Sequence, residues 1–227
     1  MIRYVFFDLD ETLLDFKMAE RRSIAATLKE FGLDSCDKTL MRYSEINDSL
    51  WKRLERGEIK REDVLSERFR ILLRELGASV SVPDMREAYE GRLAGSYYII
   101  EGAREILDAL YPRYRLFIAS NGIARVQRKR IRGAGIDSYF EKLFISEELH
   151  AEKPSREFFE RAFQKIDGFR PDQAIIIGDS LSSDIKGGIN AGIKTCYFNR
   201  GGARPEGIRP SFEIRRLSEL ELLLENL

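Results

Sequence analysis

Five short apolar runs, each closed by a small or polar residue, constrain this chain more than any other feature. The run Tyr4–Phe7 ends at Asp8, 116–119 at Ser120-Asn121-Gly122, 143–145 at Ser146, 174–177 at Gly178-Asp179, and 195–198 at Asn199. Each is too short for a helix and reads as a buried strand. Amphipathic stretches near 103–110, 126–132, 156–166 and 182–190 separate them. Strands alternating with helices predict a parallel sheet covered on both faces, an α/β doubly wound, Rossmann-like core of about five strands.

Residues 16–97 break the pattern, with helical periodicity and no comparable apolar runs. Helices are expected over 19–31, 39–56, 61–76 and 83–93, with Gly32, Gly57 and Gly77 as stops. The chain therefore divides into a core of residues 1–15 and 98–227 and a helical insert of 16–97. The tail 217–227 reads as a short closing helix.

Composition removes whole classes of function. Lys plus Arg (38) equals Asp plus Glu (38), so no net field draws the protein to nucleic acid or to an anionic membrane. The apolar runs fall far short of a membrane span, and Met1-Ile2-Arg3 leads straight into a strand rather than a signal peptide, so the expected location is the cytoplasm. Cys36 and Cys196 lie far apart, and His150 is the sole histidine. Zinc clusters, disulfide scaffolds and His-rich metal sites are excluded, leaving carboxylates, lysines and hydroxyls to carry any chemistry.

In sheets of this kind ligands bind beyond the carboxyl ends of the strands. Asp8 and Asp10 end the first run, Ser120 and Asn121 the second, Lys153 follows the third, and Asp179 with Asp184 the fourth. A carboxylate that attacks a phosphate monoester needs cations to screen the repulsion and donors for the phosphoryl oxygens. Magnesium suits a carboxylate cluster, with Asp8, Asp179 and the backbone carbonyl of Asp10 as its ligands. Asp8 is then the nucleophile and Asp10 the group that moves protons. Ser120, Asn121, Gly122 and Lys153 hold phosphate, while Thr12 and Asp184 support the ligands from behind.

These segments also resemble a known family. Asp8-Leu9-Asp10-Glu11-Thr12, Ser120-Asn121-Gly122, Lys153-Pro154 and Gly178-Asp179-Ser180 with Asp184 look like the four ordered motifs of the haloacid dehalogenase (HAD) superfamily, and the insert resembles its C1 cap. The resemblance implies a phosphatase rather than a dehalogenase, because the dehalogenases lack an aspartate at the position of Asp10. A closer resemblance is to the bacterial pyrimidine 5'-nucleotidases, carried by Phe6 to Leu13, by 47–59 with Leu50-Trp51 and Gly57-Glu58-Ile59, by Ile145-Ser146-Glu147-Glu148, and by Gly187-Gly188-Ile189-Asn190-Ala191-Gly192. It implies nucleoside 5'-monophosphates as substrates, unusual or damaged ones included. Ser120 stands where threonine is frequent, which keeps the hydroxyl. A sugar phosphatase of the acylneuraminate 9-phosphate or phosphoglycolate type is the alternative, and an idle binding module a more distant one.

Plainer readings stand beside these. Asp8 and Asp10 also suit a strand-to-helix turn, Asp184 a solvated helix position, and Gly122 and Gly178 tight turns. The basic run Arg125, Arg128, Lys129, Arg130 and Arg132 is expected to be a solvated helix face, and His150 a loop residue. Trp51, Tyr43, Phe69 and Tyr89 could stack on a nucleobase, though such aromatics more often fill a helical core. Trp51 is the best placed of them.

Overall fold

The computed structural model describes residues 1–202 and 207–227. They form two compact units, Met1–Asp15 with Tyr98–Leu227, and Phe16–Tyr97.

The first unit is built on a six-stranded parallel sheet in the order β3-β2-β1-β4-β5-β6. Its strands are β1 (Tyr4–Phe7), β2 (Arg115–Ser120), β3 (Lys142–Ile145), β4 (Ala174–Gly178), β5 (Lys194–Phe198) and β6 (Phe212–Ile214). The sixth strand exceeds the expected five because β6 is a three-residue edge strand, Phe-Glu-Ile, with no apolar run to betray it. From β1 the chain winds outward through β2 and β3, then returns to β4 on the other side of β1. That reversal opens a crevice at the carboxyl ends of β1 and β4.

Period-2 alternation sends successive side chains to opposite faces. Val5, Phe7, Ile118, Ile175 and Ile177 join one core with the helices α5 (Ala103–Leu110), α6 (Ala124–Gly133) and α10 (Glu219–Glu225). Tyr4, Phe6, Phe117 and Ile176 join another with α8 (Arg156–Phe163), where the Phe6 and Phe117 rings stack at 5.0 Å. The short helices α7 (Ser146–Leu149) and α9 (Lys186–Asn190) complete the set. The helix expected over 182–190 is in fact a π-helical turn, Leu181–Ile185, running into α9. The segments that leave and re-enter this unit are bonded to each other, Asp15 N–H to Tyr98 O at 2.8 Å and Ile100 N–H to Leu13 O at 3.0 Å.

The second unit holds the helices α1 (Phe16–Glu30), α2 (Asp37–Glu55), α3 (Arg61–Glu75) and α4 (Val82–Ala94). Gly32, Gly57 and Gly77 follow three of them with φ of 67°, 74° and 62°, a left-handed backbone that glycine adopts without strain. Tyr43, Phe69 and Tyr89 are fully buried and pack ring to ring at 5.5 to 5.7 Å. They form this unit's core, while Trp51 is half-buried. No helix among the described residues is long and apolar enough to cross a membrane.

A polar network crosses the core of this unit. Glu20, 3 % exposed, accepts hydrogen bonds from Ser44 Oγ at 2.6 Å and Asn47 Nδ2 at 2.7 Å. Asn47 Oδ1 accepts from Arg68 Nη1 at 3.2 Å, and the Arg68 guanidinium lies 4.9 Å from the ring centres of both Phe69 and Tyr89. Burial pushes the Glu20 carboxyl up to about 7, against the opposing pull of Ser44, Arg68 and Asn47. A carboxyl raised on folding binds its proton more tightly in the native state, so its stabilising contribution is full below about pH 4.5 and lost as pH rises through about 7. Glu20→Gln is therefore expected to stabilise this unit relative to the native chain by on the order of 2 kcal/mol at about pH 8 and by little at about pH 5. Urea unfolding followed by the fluorescence of Trp51, the single tryptophan, checks this; an equal difference at both pH values would refute it.

Candidate active site

Asp8 is the first residue past β1, its amide donating to Ile177 O at 2.9 Å, so the ladder between β1 and β4 fixes its backbone. The chain then turns sharply: the amides of Leu13 and Leu14 both reach Leu9 O at 2.9 Å, and Glu11 takes a left-handed φ of 60°. The turn breaks strand alternation, so Asp8 and Asp10 meet different neighbours.

Lys153 is the hub. Its fully buried ammonium spends its three donors on Asp8 Oδ1 (2.7 Å), Ala119 O (2.6 Å) and Asp184 Oδ1 (2.5 Å). Burial disfavours this charge, but Asp184 and Asp8 outweigh it and hold the ammonium pKa above its ordinary value. Asn121 anchors the lysine from behind, its side chain donating to Lys153 O at 2.8 Å and accepting from Lys153 N–H at 2.9 Å. The Asn121 side chain thus serves Lys153. The Gly122 amide donates to Ser146 Oγ at 3.2 Å, and a Cβ on Gly122 would lie 2.8 Å from Gln127 Nε2, so close packing requires this glycine.

The carboxylate oxygens of Asp8, Asp179 and Asp184 come within 4.8 Å of one another. A Cβ on Gly178 would sit 2.2 Å from Asp184 Oδ2, so only glycine lets that carboxylate lie over the end of β4, where it also accepts from the Ser180 amide at 3.0 Å. Burial first, then Asp184 and Asp10, push the Asp8 carboxyl upward against the pull of Lys153. Burial with the charges of Asp8, Asp184 and Glu11 raises Asp179 well above the usual carboxylate range. One ammonium faces three crowded carboxylates, and a divalent cation that prefers oxygen ligands would offset the excess. The donor set, all carboxylate, fits magnesium.

Asp10, with a quarter of its side chain exposed, is gripped on both oxygens. Gln127 Nε2 donates to Oδ2 at 2.7 Å, and Arg130 Nη1 donates to Oδ1. Gln127 Nε2 also donates to Ser120 Oγ at 2.9 Å, and Gln127 Oε1 accepts from Arg130 Nη1 at 3.0 Å. Arg130 is 0 % exposed, which corrects the expectation of a solvated face for this residue, while Arg125, Lys129 and Arg132 of the same run are exposed. Gln127 and Arg130 were missed in the sequence, although both fall on the stripe of α6 that Val126 and Ile131 bury. A charged residue in register with an apolar stripe was the available signal.

The remaining candidates are placed as follows. Ser120 is buried beside Gln127, and Thr12 is fully buried with a hydroxyl that makes no hydrogen bond. Exposed His150 caps α7 in a left-handed conformation. Trp51 belongs to the other unit.

Comparison with known proteins identifies the family. Residues 5–198 match the family model described as haloacid dehalogenase-like hydrolase. The pyrimidine 5'-nucleotidase PynA of Streptococcus pneumoniae is 38 % identical over 198 residues, 87 % of this chain and 84 % of that protein. YfnB of Bacillus subtilis, named as a HAD-hydrolase, is 35 % identical over 98 % of this chain and 95 % of its own. Its crystal structure, bound to magnesium, superposes with a TM-score of 0.93 at 34 % identity, covering 98 % of both chains. The N-acylneuraminate-9-phosphatase of Homo sapiens is 26 % identical over 100 % of this chain and 95 % of that protein. With the family model spanning most of its length and two bacterial relatives above the 30 % level, the chain belongs to the haloacid dehalogenase-like hydrolases.

Proposed function

We propose that this hydrolase is a magnesium-dependent phosphomonoesterase that works through an aspartyl phosphate on Asp8, with nucleoside 5'-monophosphates, pyrimidine ones foremost, as substrates. The observation that carries the reading is the contrast between the two carboxylates. Asp8 is buried against Lys153, whereas Asp10, two residues on, is turned away and held by neutral and cationic donors.

Lys153 engages Asp8 Oδ1, which leaves Oδ2 to attack phosphorus as the bond to the leaving oxygen breaks. Protonated Asp10 delivers its proton to the departing alkoxide. As a carboxylate it then takes a proton from the water that attacks the phosphoryl group, freeing phosphate and restoring Asp8. Ser120 and the backbone amides near Asn121 hold phosphoryl oxygens, and Lys153 screens their charge. Asp8 and Asp179, with the Asp10 carbonyl, would hold magnesium, which would supply positive charge to offset that of the transferring group. Asp184 keeps Lys153 in place, and Thr12 backs the turn that carries Asp10.

The helical unit, 16–97, is the part proposed to select the leaving group as a cap, and Trp51 is its candidate for stacking on a base. Likeness to PynA supports nucleotides, and likeness to the acylneuraminate phosphatase supports the second reading, a sugar phosphate. The enzyme handles a small monoester in the cytoplasm and needs neither nucleic acid nor membrane as a partner.

Phosphate release from pyrimidine and purine 5'-monophosphates, acylneuraminate 9-phosphate and phosphoglycolate separates the readings. Pyrimidine nucleotides are expected to lead in kcat/KM by about tenfold or more, and chelation of magnesium to remove activity. Preference for a sugar phosphate would overturn the nucleotidase reading alone. Turnover of no monoester would overturn the phosphatase reading.

A further inference from the structure

We infer that Gln127 and Arg130 are positioning residues that aim Asp10 for proton transfer; the inference rests on the phosphatase reading above and goes beyond it. Three features of the geometry lead there. A carboxylate beyond a strand end rotates about two side-chain bonds, and general acid catalysis needs it aimed at one oxygen. Here each carboxylate oxygen has its own donor, Oδ2 from Gln127 and Oδ1 from Arg130, so neither rotation is free.

The donors are themselves fixed. Arg130 Nη1 donates to Gln127 Oε1 at 3.0 Å, which settles the orientation of the amide and turns Nε2 toward Asp10 and Ser120. Both Nε2 hydrogens are then engaged, one at 2.7 Å with Asp10 and one at 2.9 Å with Ser120 Oγ. Because Ser120 Oγ accepts from Gln127, its own hydrogen stays available as a donor for a phosphoryl oxygen. One amide thus ties the proton-transfer group to the phosphate-holding hydroxyl and fixes the spacing between them.

The third feature is cost. A fully buried guanidinium is expensive to desolvate, and α6 already buries Val126 and Ile131 to hold itself on the sheet. A packing role alone would be met by an apolar residue on that stripe. The arginine is explained by what it grips.

Leaving-group dependence tests the inference, because p-nitrophenolate departs without a proton and an alkoxide does not. In kcat/KM, which reports the steps up to phosphorylation of Asp8, Gln127→Leu is expected to lose about 100-fold on the best alkyl phosphate monoester but under about fivefold on p-nitrophenyl phosphate. KM for the alkyl substrate should change little, placing the loss in kcat. Arg130→Met is expected to show the same bias, and Arg130→Lys, which keeps a charge and a donor, to recover part of it. Thermal unfolding of Gln127→Leu verifies the fold if Arg130→Met fails to accumulate. Equal losses on both substrates, or none on either, would overturn the inference while leaving the phosphatase reading intact. A native chain inactive on both would instead overturn that reading, and this inference with it.

Discussion

Asp8→Asn is expected to lower turnover of every phosphate monoester by about four orders of magnitude or more, to background, because no other group takes the nucleophile's place. The candidates are few. Asp184 Oδ1 and Oδ2 are committed to Lys153 and the Ser180 amide, and Asp10 is bound on both oxygens. The substitution preserves shape and leaves an amide oxygen to accept from Lys153. It removes one of three crowded carboxyl groups, so the fold should persist with a thermal midpoint within about 5 °C of the native value. Phosphate release and circular dichroism melting together check this. A variant that keeps more than about 1 % of native turnover would place the nucleophile elsewhere.

Lys153→Met should be the most damaging single change to stability. It leaves Asp8 and Asp184 buried without their cation and strips the Ala119 carbonyl of its donor. Breaking one side of a buried ionic group costs about 3–5 kcal/mol, more than a surface ion pair by several-fold. The loss has a pH signature. The Asp8 carboxyl is raised on folding and loses its main opposing influence with the lysine, so protonation relieves the variant at lower pH and the deficit should shrink as pH falls. Urea unfolding of the variant at about pH 8 and at about pH 5 measures both, and added magnesium should narrow the deficit at the higher pH. A change below about 1 kcal/mol would show that Lys153 is not the hub that its three bonds make it. Turnover should fall by about a thousandfold or more, since on the proposed mechanism the same ammonium screens the phosphate.

The sheet was legible because strands buried on both faces must be apolar throughout, and Tyr4–Phe7 or 174–177 have no other stable use. β6 was not, since an edge strand of three residues needs no such run. Asp8 and Asp179 could be named because each stands directly beyond a strand, and Lys153 because it follows β3 after the short α7. Gln127 and Arg130 escaped because their role depends on the sharp turn at Glu11, which carries Asp10 off the strand and toward α6. Register along a helix is readable from sequence; which carboxylate waits above it is not. Tyr43, Phe69 and Tyr89 show the same limit in reverse, since aromatic spacing alone does not tell a stacking surface from a core.

The hydrogen bonds that join Asp15 to Tyr98 and Leu13 to Ile100 draw the two crossings between the units into a single narrow neck. Everything between those crossings enters and leaves the sheet unit at one point. If the insert selects the leaving group as proposed, a different set of helices spliced in at that neck would change the substrates while β1 and β4, which lead to Asp8 and Asp179, keep their places.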